Sequence, residues 1–231
     1  MPRPVTQAVV VGAGGGLGAA LAAALERGGA YGRVSRLGRG SAPPLDLLSE
    51  ASIAAAAAWA AGQGVIRLVL DATGFLHDVR FRPERGWRDI DPAHMAHAFA
   101  VNAIGPALLM KHFCPLLPRE GRAVFATLSA RVGSIGDNRL GGWHSYRASK
   151  AALNQLVRTA AVELRRHNPD GLCVALHPGT ADTALSAPFA KTGLDVRPPD
   201  IAAREVLAVL DGLSAAQSGG FFDHRGDPIA W

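Results

Sequence analysis

The chain has 231 residues, 48% of them hydrophobic, with a formal net charge of +5; that length and apolar content suit one large α/β domain and exclude a disordered chain. No apolar run is read as reaching the roughly 18 residues that cross a bilayer, and the positive charge is spread without a Lys/Arg block or groove-reading motif, so neither a membrane nor a nucleic-acid partner is expected. Two cysteines, Cys114 and Cys173, stand far apart in unlike contexts, too few for a disulfide-built secreted scaffold, which points to a reduced, cytoplasmic protein.

In chain order, short β-rich runs alternate with helical ones. "QAVVVG" (7–12) reads as a buried strand and "LGAALAAALERGG" (17–29) as a helix that glycines stop. The apolar start breaks into glycines without a small-residue cleavage site, so it is a first strand and not a signal peptide. "GRVSRLG" (32–38) is a second strand, "LLSEASIAAAAAWAAGQG" (47–64) a helix, and "VIRLVLDATG" (65–74) a third strand. A polar loop through Arg88 leads to a helix from about Asp91 to Cys114, and "GRAVFATLS" (121–129) is a fourth strand. A glycine-rich loop precedes the helix that carries Tyr146. "LCVALHPG" (172–179) is a fifth strand, 200–212 a last long helix, and "GGFFD" (219–223) a short closing strand. Strand–helix alternation of this kind implies a doubly wound parallel sheet flanked by helices, a three-layer sandwich. No linker breaks it, so residues 1–231 are taken as one domain.

"VVVGAGGGLGAAL" joins the first strand to the first helix, where backbone N–H groups and a helix N-terminus can face a pyrophosphate. The fingerprint G-x-G-x-x-G/A fits only through Gly14, Gly16 and Ala19, two residues late after the strand. G-x-x-x-G-x-G through Gly12, Gly16 and Gly18 starts where the strand ends and is preferred. Gly12 makes the turn, Gly16 admits the phosphates, and Gly18 lets the helix pack on the sheet. No Gly-Lys-Ser/Thr follows, which excludes a P-loop.

Tyr146 and Lys150 are four residues apart, on one face of a helix. Hydride reduction of a carbonyl leaves an alkoxide that needs a proton. A phenol of pKa ~10 suits that task, and an ammonium one turn along is expected to lower its pKa and allow the reverse reaction. An amphipathic helix decoration is the alternative.

"GAGGGLG", "VNAIGP", "YRASK" and "HPGTADT", in this order and spacing, resemble the short-chain dehydrogenase/reductase family over nearly the whole chain. "SARVGSIGDNRLGGWHSYRASKAALN" further resembles its carbonyl-reductase-like branch. The resemblance implies a Rossmann-type fold, a cofactor half over about 1–120 and a catalytic and substrate half over about 121–231. It implies oxidation of an alcohol or reduction of a carbonyl with NAD(H) or NADP(H), Lys150 also bonding the nicotinamide ribose. Asn102 is assigned to a helix kink whose water relays protons from Lys150; an ordinary buried amide is the alternative. The family's second serine after the fourth strand, which polarises the carbonyl, is replaced here by Ala130. Ser129 is taken as the substitute, with Ser134 as the other candidate.

The end of the second strand lacks the carboxylate that holds the ribose hydroxyls of NAD. Arg39 follows it, with Arg36 nearby, and an arginine suits a 2′-phosphate, so NADP(H) is preferred over NAD(H). The cofactor-binding set also includes Gly14 and Leu17. Asp46 resembles the residue that contacts the adenine, or is a helix cap. "DATG" stands where the family has an asparagine-alanine-glycine loop: Asp71 and Ala72 depart from it, while Ala72, Thr73 and Gly74 are placed against the cofactor. Pro178 and Gly179 turn the chain over the nicotinamide; Thr183 bonds the carboxamide or the pyrophosphate, or merely caps the lid.

His94 and His97, at i, i+3, lack a carboxylate or thiol to complete a metal site and read as solvated surface histidines; no metal is expected. Trp143, His144 and Trp231 are candidates for a pocket or interface. The short lid "ALSAPFAKTGLDVRPP" (184–199) suggests an accessible pocket for small aldehydes or ketones. Apolar helix faces at 91–113 and 146–166 suggest a homodimer or homotetramer. The rival reading is a cofactor-binding regulatory protein with weak or no catalysis, which Ala130 motivates.

Overall fold

The computed structural model describes residues 5–189 and 195–231. The strands are β1 (Thr6–Val11), β2 (Arg33–Leu37), β3 (Val65–Asp71), β4 (Ala123–Leu128), β5 (Gly171–His177), the short β6 (Thr180–Ala181) and β7 (Val196–Arg197), and β8 (Phe221–Asp223). The helices are α1 (Gly16–Gly28), α2 (Glu50–Ala61), α3 (Pro92–Phe99), α4 (Gly105–Phe113), α5 (His144–His167) and α6 (Pro199–Gly212). Six strands form one sheet in the order β2-β1-β3-β4-β5-β8, every adjacent pair parallel.

Alternation along the central strands builds the three layers. On β1, Val9 and Val11 face a core with Ile53 and Ala56 of α2, Leu109 and Phe113 of α4, and Leu153 and Val157 of α5. Ala8 and Val10 face the other side, with Leu21 of α1 and Val206 and Leu210 of α6. Strands covered on both faces must be apolar on both, which is why they read as continuous runs and not as alternating ones. The order reverses at β1, flanked by β2 and β3, and in such sheets ligands bind outside the carboxyl ends of the strands at this point.

The expected helix over about 91–114 is a helical run with a fault in it. Residues Ala100–Ile104 form a π-turn between α3 and α4, with Gly105 N donating to Ala100 O. Pro106 lacks the N–H that an α-helix would direct at the Asn102 carbonyl, so the ladder has to be re-registered there. By length and composition this run, Pro92–Leu116, is apolar enough to cross a membrane, contrary to the sequence reading, which found none. In the fold it packs between α2 and α5.

The reading of His94 as a solvated surface histidine is corrected. His94 is only 3% exposed: its ring stacks on Phe81 with centroids 5.1 Å apart, and Nδ1 lies 3.4 Å from buried Glu84. Cys114 and Cys173, both free, pack into the same apolar layer. Burial pushes the Cys114 thiol up to about 12 and raises that of Cys173 as well, which makes both poor nucleophiles.

Candidate active site

The turn after β1 is shaped by close backbone approach. Gly12 has φ +80, and a Cβ there would lie 3.0 Å from the Ala72 carbonyl oxygen. A Cβ on Gly18 would collide with the Gly12 carbonyl, and one on Gly16 would meet the Thr183 methyl at 3.0 Å. The roles read for Gly12 and Gly18 thus correspond to tight contacts, although Gly18 packs on the turn itself. Gly15 caps α1 without any side-chain bond, and no acidic residue occupies the first turn. The free N–H groups of that turn and the positive end of the helix form a cradle for an anion. Gly12 N and Ala13 N donate to Leu37 O at 2.9 and 3.2 Å, which draws Gly38 and exposed Arg39 alongside. Arg36 is occupied by Glu26, bonded at 2.8 and 2.7 Å. Asp46 is exposed and its carboxylate accepts Leu48 N at 3.0 Å; the cap of α2 is Ser49.

A cleft of about 550 Å³ opens from this cradle across the carboxyl ends of the strands. Gly16, Leu17, Gly18, Ala72, Thr73, Gly74, Ser129, Tyr146, Lys150, Pro178, Gly179 and Thr183 all line it, together with Ala130, Trp143 and His177. Gly12, Gly14, Arg39, Asp46 and Asn102 lie outside its walls. Residues 190–194 of the expected lid are outside the described residues; from the rest, Leu185 and Phe189 reach the cleft, and Leu185 O is 3.2 Å from His77 Nε2.

Tyr146 is 9% and Lys150 3% exposed. Burial pushes the phenol up to about 12 and the ammonium down to about 8, the latter opposed by the Asp71 charge. The expected lowering of the phenol by the lysine is therefore corrected: Lys150 Nζ sits 6.0 Å from the Tyr146 ring centre and donates to Leu128 O at 2.8 Å. Desolvation prevails, and the phenol is held protonated.

Asn102, in the π-turn, is fully buried and fully partnered. Its Oδ1 accepts Phe75 N at 2.7 Å, and Nδ2 donates to Phe75 O at 2.8 Å and Ser149 Oγ at 3.0 Å. It fastens the loop after β3 to the residue beside Lys150. Ser129 borders the cleft, but its hydroxyl donates to Asn154 Oδ1 on α5 at 2.7 Å. Ser134 is 1% exposed and accepts Asp137 N. Both hydroxyls are thus engaged within the protein, and Ala130 lines the cleft beside Ser129. Thr183 leaves its methyl on Gly16 and its carbonyl to Ser186 N and Ala187 N, which start the lid turn.

Three groups support the site: Glu84, which the sequence does not single out, Asp71, noted there only as a departure, and Trp143, a pocket candidate that does line the cleft. Asp71, wholly buried, accepts Thr73 N at 3.0 Å, Thr73 Oγ1 at 2.6 Å and Thr127 Oγ1 at 2.7 Å, tying β3 to β4 beneath Lys150. Glu84 accepts the backbone N–H and hydroxyl of Ser145 at the start of α5. Trp143, at φ 51, adopts a left-handed conformation rare for a bulky residue. Its N–H donates to Glu84 O at 2.6 Å, and its ring stands 6.1 Å from that of Tyr146 and 5.1 Å from Phe189. Strain of this kind gathers at functional sites. Among the described residues no group of three His, Cys, Asp or Glu could hold a metal.

A family model described as "Enoyl-(Acyl carrier protein) reductase" matches residues 12–197. The chain belongs to the short-chain dehydrogenase/reductase family. This is a family of NAD(P)-dependent oxidoreductases. The chain is 34% identical over 190 residues to a 1-hydroxy-2-glutathionyl-2-methyl-3-butene dehydrogenase of Rhodococcus, covering 82% of this chain and 79% of that one. It is 38% identical over 144 residues to the C-signal protein of Myxococcus xanthus, covering 62% and 82%. Among solved structures it is similar to the NADPH-bound carbonyl reductase from chicken fatty liver, with TM-score 0.85, 26% identity and 98% and 94% coverage. A short-chain dehydrogenase/reductase from Burkholderia multivorans with bound NADP gives TM-score 0.82 at 26% identity, covering 99% and 100%.

Proposed function

We propose that this protein reduces a small aldehyde or ketone to an alcohol with NADPH, with Tyr146 as the proton donor. The observation that carries the reading is a buried, protonated phenol one helical turn from a buried lysine, in the same cleft as the capless N-terminus of α1. The cofactor fits the residues present. The first turn of α1 would hold the pyrophosphate, with Thr183 above it, its methyl on Gly16 favouring that contact over the carboxamide. Arg39 is left free by the Arg36–Glu26 pair to meet a 2′-phosphate. Ala72, Thr73, Gly74, Pro178 and Gly179 would border the nicotinamide end. When bound, NADPH supplies the hydride.

The chain's own residues do the rest. A phenol that burial keeps protonated is matched to an alkoxide, a stronger base than water, and so gives up its proton when the alkoxide forms. Lys150, positively charged below about pH 8, faces the phenolate left behind. Asn102 and Asp71 fix the walls around that ammonium. With Ser129 and Ser134 bonded elsewhere, the Tyr146 hydroxyl is the donor that both polarises and protonates the carbonyl. This departs from the serine-assisted scheme and from the sequence-based choice of Ser129. A cytoplasmic setting accords with the two free thiols. A homo-oligomer accords with the apolar groove of about 490 Å³ between α4 and α5.

The second reading, a cofactor-binding regulatory protein with little catalysis, is favoured by Ala130 and by the likeness to the C-signal protein. NADPH consumption across aldehydes, ketones and quinones, with wild type beside Tyr146→Phe, separates the two. The reductase reading expects turnover that falls by roughly 10²–10⁴ in the variant while NADPH binding persists. NADPH binding without turnover on any carbonyl would establish the regulatory reading.

A further inference from the structure

We propose that the substrate carries a carboxylate besides its carbonyl, and that Arg139 and Arg147 receive it at the outer end of the cleft. The inference rests on the reductase reading and names its substrate class.

Three arginines line the cleft in the segment between β4 and the first turn of α5: Arg131, Arg139 and Arg147. Arg131 has its counter-charges, Asp223 at 2.9 Å and Asp137 at 3.4 Å. The other two have none among the described residues. Arg139 is exposed and bonds only backbone carbonyls of its own loop, Gly136 O at 3.0 Å and Asn138 O at 3.4 Å. Arg147 is half-buried, one residue beyond Tyr146. It bonds the carbonyls of Gly141 at 3.3 Å, Gly142 at 3.0 Å and Val132 at 3.2 Å. Burial lowers its pKa, and no carboxylate acts to raise it. A guanidinium offers five N–H donors in a fixed fork. In both residues Nη2 makes no bond among the described residues, so donors remain for an anion.

The cofactor's phosphates do not account for this charge. Their cradle belongs to the β1–α1 turn and the end of β2, whereas these arginines follow β4 and flank Tyr146. Asp137, the acid in the cleft wall, is engaged by Arg131. A substrate carboxylate would therefore meet a wall in which positive side chains outnumber the single acid, Asp137. Trp143, Leu140 and Phe189 supply apolar wall beside the arginines, which suits an apolar body between carbonyl and acid. The missing hydroxyl at Ala130 fits the same picture. Where one polarising donor is gone, a charged handle remote from the reacting carbon supplies binding energy that positions it.

The test compares 4-carboxybenzaldehyde with its neutral methyl ester, methyl 4-formylbenzoate, on the NADPH-loaded protein. We expect kcat/KM for the acid to exceed that for the ester by about tenfold or more at low salt. The ratio should fall toward one in Arg139→Gln and at high ionic strength, where such attraction is screened. Equal values for acid and ester, or a ratio indifferent to salt and to Arg139→Gln, would overturn the proposal while leaving the reductase reading intact. If neither aldehyde is reduced, the reductase reading fails on these probes. Calorimetric titration of the same pair then decides the inference: tighter binding of the acid, lost in Arg139→Gln, supports it, and indifference to the carboxylate ends it.

Discussion

Asp71 and Lys150 are both sealed from solvent, 0% and 3% exposed, and no salt bridge joins them directly. Each is instead bonded to β4 at its carboxyl end: Asp71 to the Thr127 hydroxyl, Lys150 to the Leu128 carbonyl. If the carboxylate acts as the counter-charge of the ammonium, Asp71→Asn should cost far more in the wild type than in a Lys150→Met background. Interaction energies between groups sharing such a network are on the order of 1–3 kcal/mol. At roughly 2–4 °C per kcal/mol for a domain of this size, that is about 2–12 °C in Tm. Thermal unfolding of the four proteins at pH 7 measures it. In Lys150→Met the buried carboxylate is left without its cation, so removing its charge should be neutral or stabilising. The pH dependence has a definite sign. Lys150 titrates at about 8 in the fold against an ordinary 10.5, so between these values the unfolded chain holds a proton that the native state lacks. Stability therefore rises with pH across that window. Asp71→Asn should move its lower edge to more acid pH. Equal costs of Asp71→Asn in both backgrounds would refute the charge coupling and leave Asp71 a purely structural brace.

Three further outcomes are expected. Gly18→Ala should lower Tm by several degrees and weaken NADPH binding, because its Cβ has only the Gly12 carbonyl to occupy and overpacking costs about 1–3 kcal/mol; unfolding and fluorescence titration check both. Arg39→Ala should weaken NADPH much more than NADH in equilibrium binding, and equal losses would remove the 2′-phosphate assignment. Burial, aided by the charge of Arg131, holds His177 down at about 4 against the usual 6.5. Stability should therefore be complete above pH 6.5 and decline toward pH 4 by up to about 3 kcal/mol, as the unfolded chain takes up the proton first. His177→Gln should flatten that decline in unfolding curves taken across the window.

What could be read without coordinates follows from how local each signal is. The central strands declared themselves because a sheet covered on both faces must be apolar on both, as β1, β4 and β5 are. Tyr146 and Lys150 declared themselves because four residues of helix bring two side chains together whatever surrounds them. The π-turn was within reach, since Pro106 four residues after Asn102 removes the N–H that an unbroken ladder needs. His94 was misjudged because its exposure is decided by Phe81 and Glu84, which arrive from a loop with no periodic pattern. The serine substitution shows the same limit at the reacting centre. The sequence locates Ser129 beside Ala130, yet the direction of its hydroxyl is set by Asn154, two turns along α5 from Tyr146. A hydroxyl drawn to that amide has its proton engaged within the protein, so position in sequence alone does not make Ser129 a free donor. On the proposed reaction the proton chemistry then falls to Tyr146, and a substrate that anchors itself by a charge is the one expected to suit this cleft.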